Sequence, residues 1–258
     1  MMSAPLRPIA RPALARDVPP ASGTTCAGCP MHLQCLPVGM APEDVGQLDR
    51  IIIRRRRVAR DERLYRADDE FNNLYAIRFG HFKAFQISAS ADQQITAFLM
   101  AGELLGLDAI SGGRHQCDAV ALEDSEVCEI PFARLQALFS QLPSLLRQFH
   151  RIMSQEITRE QSLTLLLGNM RAEQRFAVFL DNLSTRYAAR GYSGTRFQLR
   201  MSRADIGSYL GLTVESVSRL FSRFKRETWV CLDKRDVTLL APGTLKELAS
   251  GAASARPM

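Results

Sequence analysis

The chain has 258 residues, of which 46% are hydrophobic and 23% charged, with a formal net charge of +6. That length allows two domains with separate cores, and no apolar run approaches the roughly 18 residues a membrane helix needs, so nothing is expected to span a bilayer. The positive excess is concentrated: residues 171 to 258 hold 15 Lys/Arg against 8 Asp/Glu, and residues 1 to 170 hold 18 against 19. A last third charged in this way suits binding to phosphates. No Ser/His/Asp constellation or phosphate-cradling glycine loop is evident and the four histidines are scattered, so an enzyme is not expected.

Residues 1 to 22 are rich in Pro, Ala and Arg and lack the apolar segment of a secretory signal, which predicts a disordered tail on a cytoplasmic protein. Next comes Cys26-Ala27-Gly28-Cys29-Pro30-Met31-His32-Leu33-Gln34-Cys35, holding three of the six cysteines. Thiolates so close repel one another unless a cation or an oxidised bond joins them. Zinc usually shows two paired Cys knuckles or Cys and His pairs, whereas here one C-x2-C pair stands with one outlying Cys. Disulfides are disfavoured in a reducing compartment. An iron-sulfur cluster takes four thiolates, and this spacing plus one distant Cys suits it. Spacing alone leaves the cluster, zinc and free thiols open.

Residues from about 41 to 140 read as β structure. Leu74-Tyr75-Ala76-Ile77-Arg78 and Phe82-Lys83-Ala84-Phe85-Gln86-Ile87 flank Phe79-Gly80-His81, a hairpin signal, and further strand-like runs lie at 95 to 99, 119 to 122 and 126 to 130. Many short strands with glycine turns predict a sandwich or roll. The basic run Arg54-Arg55-Arg56-Arg57 is read as a solvated strand face.

Residues 144 to 171 contain no proline and carry two apolar stripes, which predicts one long helix. Phe149, Ile152, Leu163, Leu166 and Met170 form a stripe suited to packing on the β domain. Leu146, His150, Met153, Ile157, Glu160, Thr164 and Leu167 step by four and three, the seam of a two-helix coil. Glu160 in that seam would approach its own copy across a parallel two-fold, and like charges repel, so the seam would pair conditionally.

Residues 202 to 210 form an amphipathic helix with Ile206, Tyr209 and Leu210 inward, followed by Gly211-Leu212-Thr213. The next helix, 213 to 226, buries Val217, Leu220, Phe221 and Phe224 and presents Glu215, Ser218, Arg219 and Ser222 on its other side. Arg spans two acceptors of guanine, Glu accepts from a cytosine amine and Ser fits either, so this face can read base edges. Two helices joined in this way read as a helix-turn-helix, and the strand-like runs at 229 to 232 and 237 to 240 as its wing, with Lys234 and Arg235 at the tip. The predicted organisation is α+β. A tail at 1–22 precedes a cysteine loop and jelly-roll sensor domain (cyclic-nucleotide-binding-like) at 23–140. A dimerisation helix at 141–171, a winged helix-turn-helix domain at 172–250 and a tail at 251–258 follow.

This order of parts resembles the Crp/Fnr superfamily of bacterial transcription regulators. The strings Gly211-Leu212-Thr213-Val214-Glu215-Ser216-Val217-Ser218-Arg219-Leu220, Leu74-Tyr75-Ala76-Ile77-Arg78 and Val127-Cys128-Glu129-Ile130-Pro131-Phe132 are similar to its oxygen-sensing FNR branch, over about residues 22 to 245. The resemblance implies an oxygen-labile 4Fe-4S cluster held by Cys26, Cys29, Cys35 and Cys128, with Cys117 as the competitor for the fourth place. Cys117 and Cys231 are otherwise read as buried small hydrophobes. It further implies a homodimer and a transcription activator that works with RNA polymerase. Glu215, Ser218 and Arg219 would read double-stranded DNA at an inverted repeat of TTGAT-like half-sites, and Glu160 matches an acid of the family's dimer seam. The cyclic-nucleotide branch places an Arg-Ser pair after its Gly-Glu-Leu string. Here Gly102-Glu103-Leu104 is followed by Arg114-His115-Gln116-Cys117-Asp118, and cAMP is disfavoured because the acid would repel a phosphate. Pro30, next to Cys29, removes an amide that could hydrogen-bond a cluster sulfide. The alternative reading is a regulator of the same family that senses zinc, iron or a small molecule without a redox cluster.

Overall fold

The computed structural model describes residues 25–88 and 92–251; the tail predicted at 1–22, and all but the first residue of that predicted at 251–258, lie outside them. The cysteine loop leads into helix α1 (Pro42–Ile51), where a β structure was expected. Its first turn explains the difference: Pro42 has no amide to lose there, Glu43 and Asp44 face the positive helix end, and Val45 and Leu48, three apart, turn inward.

Eight strands follow: β1 (Arg54–Val58), β2 (Arg63–Tyr65), β3 (Asn73–Phe79), β4 (His81–Ile87), β5 (Gln93–Met100), β6 (Leu104–Leu105), β7 (Asp118–Ala121) and β8 (Ser125–Pro131). They form two four-stranded sheets ordered β1-β8-β3-β6 and β2-β7-β4-β5, the predicted roll. The expected 79–81 hairpin is not one. Strands β3 and β4 belong to different sheets, and Gly80 carries the chain from one to the other at φ +92°, where a side chain would meet the Ser125 hydroxyl at 2.0 Å. Of the β1 arginines, Arg54 and Arg57 are exposed as expected and Arg55 and Arg56 are half-buried. Arg54 pairs with Glu129 at 2.6 Å, Arg55 with Asp49 at 3.1 Å and Arg56 with Glu62 at 2.9 Å.

Helices α2 (Phe132–Phe139) and α3 (Pro143–Asn169) close this half; at 27 residues α3 is about 40 Å long. Its inward stripe divides. Phe149 and Ile152 pack with Leu36, Leu135 and Leu145 beside the β1-β8-β3-β6 sheet. Leu163, Leu166 and Met170 instead join a cluster that unites residues of β4, β5 and β7 with the C-terminal domain, so the second half of α3 packs where the other sheet of the roll meets that domain.

The C-terminal domain comprises α4 (Ala172–Ala189), β9 (Arg196–Gln198), α5 (Arg203–Leu210), α6 (Val214–Arg226), β10 (Val230–Asp233), β11 (Asp236–Leu239) and α7 (Pro242–Ser250). Its core centres on Phe176, fully buried and edge-on to Phe221 (4.6 Å between ring centroids) and Phe224 (5.2 Å). The wing has three strands, ordered β10-β11-β9. Cys231 is exposed on β10, against expectation, because neighbouring Val230 takes the inward side of the pleat.

Candidate functional site

Cys26, Cys29 and Cys35 of the loop and Cys128 of β8 line one cavity, together with Arg55, Ala76, Arg78 and Ile130. Register explains how Cys128 arrives there. Arg55, Cys128 and Ala76 are direct cross-strand partners on β1, β8 and β3, so their side chains stand on one face. Cys117 lies elsewhere, with its Sγ 3.5 Å from Asp108 Oδ2, and Cys231 is on the wing.

The loop is held from three sides. The Cys26 amide donates to Asp49 Oδ1 (3.1 Å), which also receives Arg55, and His32 Nδ1 lies 2.8 Å from the Cys29 carbonyl. Leu36 is fully buried, and the buried amide of Gln148 on α3 donates to the Cys35 carbonyl at 3.1 Å.

Burial raises the Cys35 thiol to about 12, and the neighbouring Cys128 and Cys29 sulfurs add to the rise. Burial likewise raises Cys128 to about 11, with the Arg55 and Arg78 guanidiniums pulling it back. Cys26 is pushed up further, by burial and then by the Asp49 carboxylate. Thiols held up in this way at Cys26, Cys35 and Cys128 keep their protons unless a cation replaces them, and two guanidiniums at the wall offset part of the thiolate charge. The donor set therefore fits a thiolate-bound cationic centre. Among the described residues no group of three or more His, Cys, Asp or Glu is drawn together as one metal ion requires. A multi-iron cluster, being wider than one ion, accepts sulfurs spread around a cavity.

On α3, Met153 is half-buried, Ile157 is 52% exposed and Glu160 is exposed. Leu167 is only partly available, since it packs on the C-terminal domain, where a side chain at Gly211 would touch it. The expected seam is thus open at Ile157 and Glu160 and partly covered at Met153 and Leu167.

The helix-turn-helix forms as its sequence dictates. Ser202 caps α5 in a reciprocal box with Asp205, and Gly211 ends it at φ +63°. The Thr213 hydroxyl accepts from the Ser216 amide at 3.1 Å, a cap contributing about 1 kcal/mol. Val217, Leu220, Phe221 and Phe224 are buried and Glu215, Arg219 and Ser222 are exposed. Ser218 is half-buried because Arg203 of α5 donates to its hydroxyl at 2.9 Å, its guanidinium also lying over the Phe221 ring. Arg203 is thus a cation beside the reading face that sequence inspection passed over; its place just inside the Ser202 cap was the available signal. Lys225, Arg226, Lys234 and Arg235 are exposed around it, a basic margin for phosphates.

A cyclic nucleotide-binding domain model matches residues 55–142 and a Crp-like helix-turn-helix domain model matches residues 174–248. The transcriptional regulatory protein Btr of Bordetella pertussis is 49% identical over 223 residues, covering 86% of this chain and 92% of that protein. The fumarate and nitrate reduction regulatory protein of Escherichia coli is 43% identical, covering 87% and 90%. The structure of FixK2 from Bradyrhizobium japonicum superposes with a TM-score of 0.70 at 28% identity, over 75% of this chain and 96% of that one. With a jelly-roll domain, a long helix and a helix-turn-helix in this order, and with relatives this similar along most of its length, the chain belongs to the Crp/Fnr family, whose members are DNA-binding transcription regulators and not enzymes.

Proposed function

We propose that this regulator senses oxygen in the cytoplasm through a 4Fe-4S cluster held by Cys26, Cys29, Cys35 and Cys128. With the cluster in place it would act as a homodimer on an inverted repeat of TTGAT-like half-sites, with RNA polymerase as the further partner at promoters. The supporting observation is the gathering of four thiols from residues 26–35 and 128 around one cavity, with two arginines in its wall. When bound, the cluster supplies an inorganic group that oxygen oxidises and breaks down. The protein's residues convert its presence into pairing. Cys35 and Cys128 tie the loop to β8, and Gln148, on the Cys35 carbonyl, joins the loop to the start of α3. Met153 and Ile157 then meet their copies despite Glu160, and pairing sets two α6 helices one DNA turn apart. A conditional seam needs only a few kcal/mol of bias to act as a switch.

Protein prepared without oxygen should be brown, contain iron and acid-labile sulfide, and bleach in air as the dimer dissociates. Colourless protein loaded with zinc, or a dimer indifferent to air, would refute the reading.

Base reading is assigned to Glu215, Ser218 and Arg219. Arg219→Ala is expected to relax the preference for guanine at one half-site position by about 1 to 3 kcal/mol in competition binding against base-substituted sites. An equal loss on every sequence would reduce Arg219 to a phosphate contact.

A further inference from the structure

We propose that the end of α4 and the outer side of α5 form a docking surface for the sensor roll of the same chain, that this surface orients α6, and that the cysteine loop is part of it through Gln34. The proposal rests on the cluster reading for the loop's part alone.

The centre of the surface is Glu103, in the turn between β5 and β6. Its carboxylate accepts from Arg186 Nη2 at 2.6 Å and from Arg190 Nη2 at 2.7 Å, both on α4. The same guanidiniums reach backbone: Arg186 Nη2 donates to the Phe98 carbonyl at 2.7 Å and Arg190 Nε to the Ala101 carbonyl at 2.6 Å. Burial alone would raise the Glu103 carboxyl, but Arg186, Arg159 and Arg190 outweigh it and hold the group at about 2. The charge is therefore retained at neutral pH, and removing it leaves two arginines facing a buried site without their counterion.

The second half of the surface is the edge of β5. This strand ends its sheet, so backbone donors on its outer side need partners. Ser208 on α5 supplies them. The Ile95 backbone amide donates to its hydroxyl at 2.9 Å, the hydroxyl donates to the Gln93 carbonyl at 2.7 Å, and the Gln94 side-chain amide donates to the Ser208 carbonyl at 2.6 Å. Lys83 pairs with Asp205 at 2.6 Å, and the Phe98 ring lies 5.1 Å from Tyr209. Ion pair, capped edge and ring contact together define one orientation.

The loop enters one residue before Cys35. Gln34 donates to the Ala189 carbonyl at the end of α4 at 2.7 Å and lies directly on Gly102, where an added Cβ would stand 2.6 Å from its own. Cys35 thus has one neighbouring contact toward α3, through Gln148, and one toward the DNA-binding domain, through Gln34.

None of these contacts uses the reading face, since Glu215, Arg219 and Ser222 stay exposed. The docked domain therefore presents α6 outward at a fixed angle to α3. In a dimer that fixes the separation of the two α6 helices, which a DNA with two half-sites demands and a single half-site does not.

The test uses the full-length protein, with Glu103→Gln and Lys83→Met at opposite ends of the surface. Hydrogen exchange at the Ile95 amide and the last turn of α4 should speed up about tenfold or more in Glu103→Gln, with a smaller change in the same direction in Lys83→Met. Affinity for paired half-sites should fall about tenfold while that for an isolated half-site holds, because only the former depends on orientation. Iron and sulfide contents should match the parent protein. If Glu103→Gln fails to fold, Lys83→Met carries the test. Unchanged exchange, or tighter binding to paired sites after loosening, would overturn the proposal. Gln34→Ala should speed exchange at the end of α4, and no change there would remove the loop from the surface. Protein without iron would leave the exchange result of Glu103→Gln readable, since it needs no dimer, so the docking surface and the cluster reading fail separately.

Discussion

Cys128→Ser is expected to remove the cluster, with iron in oxygen-free preparations falling from about four per chain to near zero, while Cys117→Ser retains it. A hydroxyl is a far poorer ligand than a thiolate, so a four-thiolate site that loses one member loses its hold. The expected difference between the two variants comes from register. Cys128 stands between Arg55 and Ala76 on the face of the sheet that walls the cavity with Cys26, Cys29 and Cys35. Cys117 sits against Asp108, and burial raises its thiol well above the ordinary value with the Asp108 carboxylate adding to it. The charged side chains that act on the Cys117 thiol are the Asp108 and Asp118 carboxylates, whereas Cys128 has the Arg55 and Arg78 guanidiniums. Iron and sulfide counts with absorption spectra decide the matter, and a melting curve separates ligand loss from misfolding. Iron retained in Cys128→Ser and lost in Cys117→Ser would reverse the assignment.

The helix-turn-helix was legible almost residue by residue because its signals are local. A 3.6-residue period placed Val217, Leu220, Phe221 and Phe224 inward, and Gly211 and Thr213 marked the turn and the cap. The fourth thiol was not legible from pattern. Strand β8 is buried along nearly its whole length, so polar alternation does not tell which face Cys128 takes; the family resemblance supplied it. The Gly80 crossing was misread for a related reason. A glycine between two apolar strands looks the same whether the chain folds back within a sheet or passes to the other one, and only the pairing partners β8 and β5 distinguish the cases. Helix α4, which buries Phe176, Phe179, Leu180 and Leu183, was not singled out in the sequence. The docking surface was out of reach altogether: Glu103 and Arg186 are 83 residues apart, and neither carries a local sign of the other.

Glu160→Ala should give a protein that is dimeric and binds DNA in air. The acid is exposed in the middle of a strip that also carries Met153 and an Ile157 about half exposed. In a parallel pair it faces its own copy, and two like charges roughly 6 Å apart at a partly screened helix surface cost about 1 to 3 kcal/mol. Alanine removes that term and adds a few tenths of a kcal/mol of helix preference, so the dimerisation constant should rise by roughly ten- to a hundred-fold. Neighbouring charges do not offset the repulsion. Arg159, one residue away, is engaged by Glu156 at 2.8 Å and turned toward Glu103. Charge, rather than bulk, predicts the ranking of further variants: Glu160→Gln should approach Glu160→Ala, and Glu160→Lys should stay monomeric in air because like charge is restored. Sedimentation at matched concentrations measures all three. A monomeric Glu160→Ala, or a dimeric Glu160→Lys, would move the switch away from electrostatics at this seam and leave the docking of the DNA-binding domain as the remaining route from the loop to DNA.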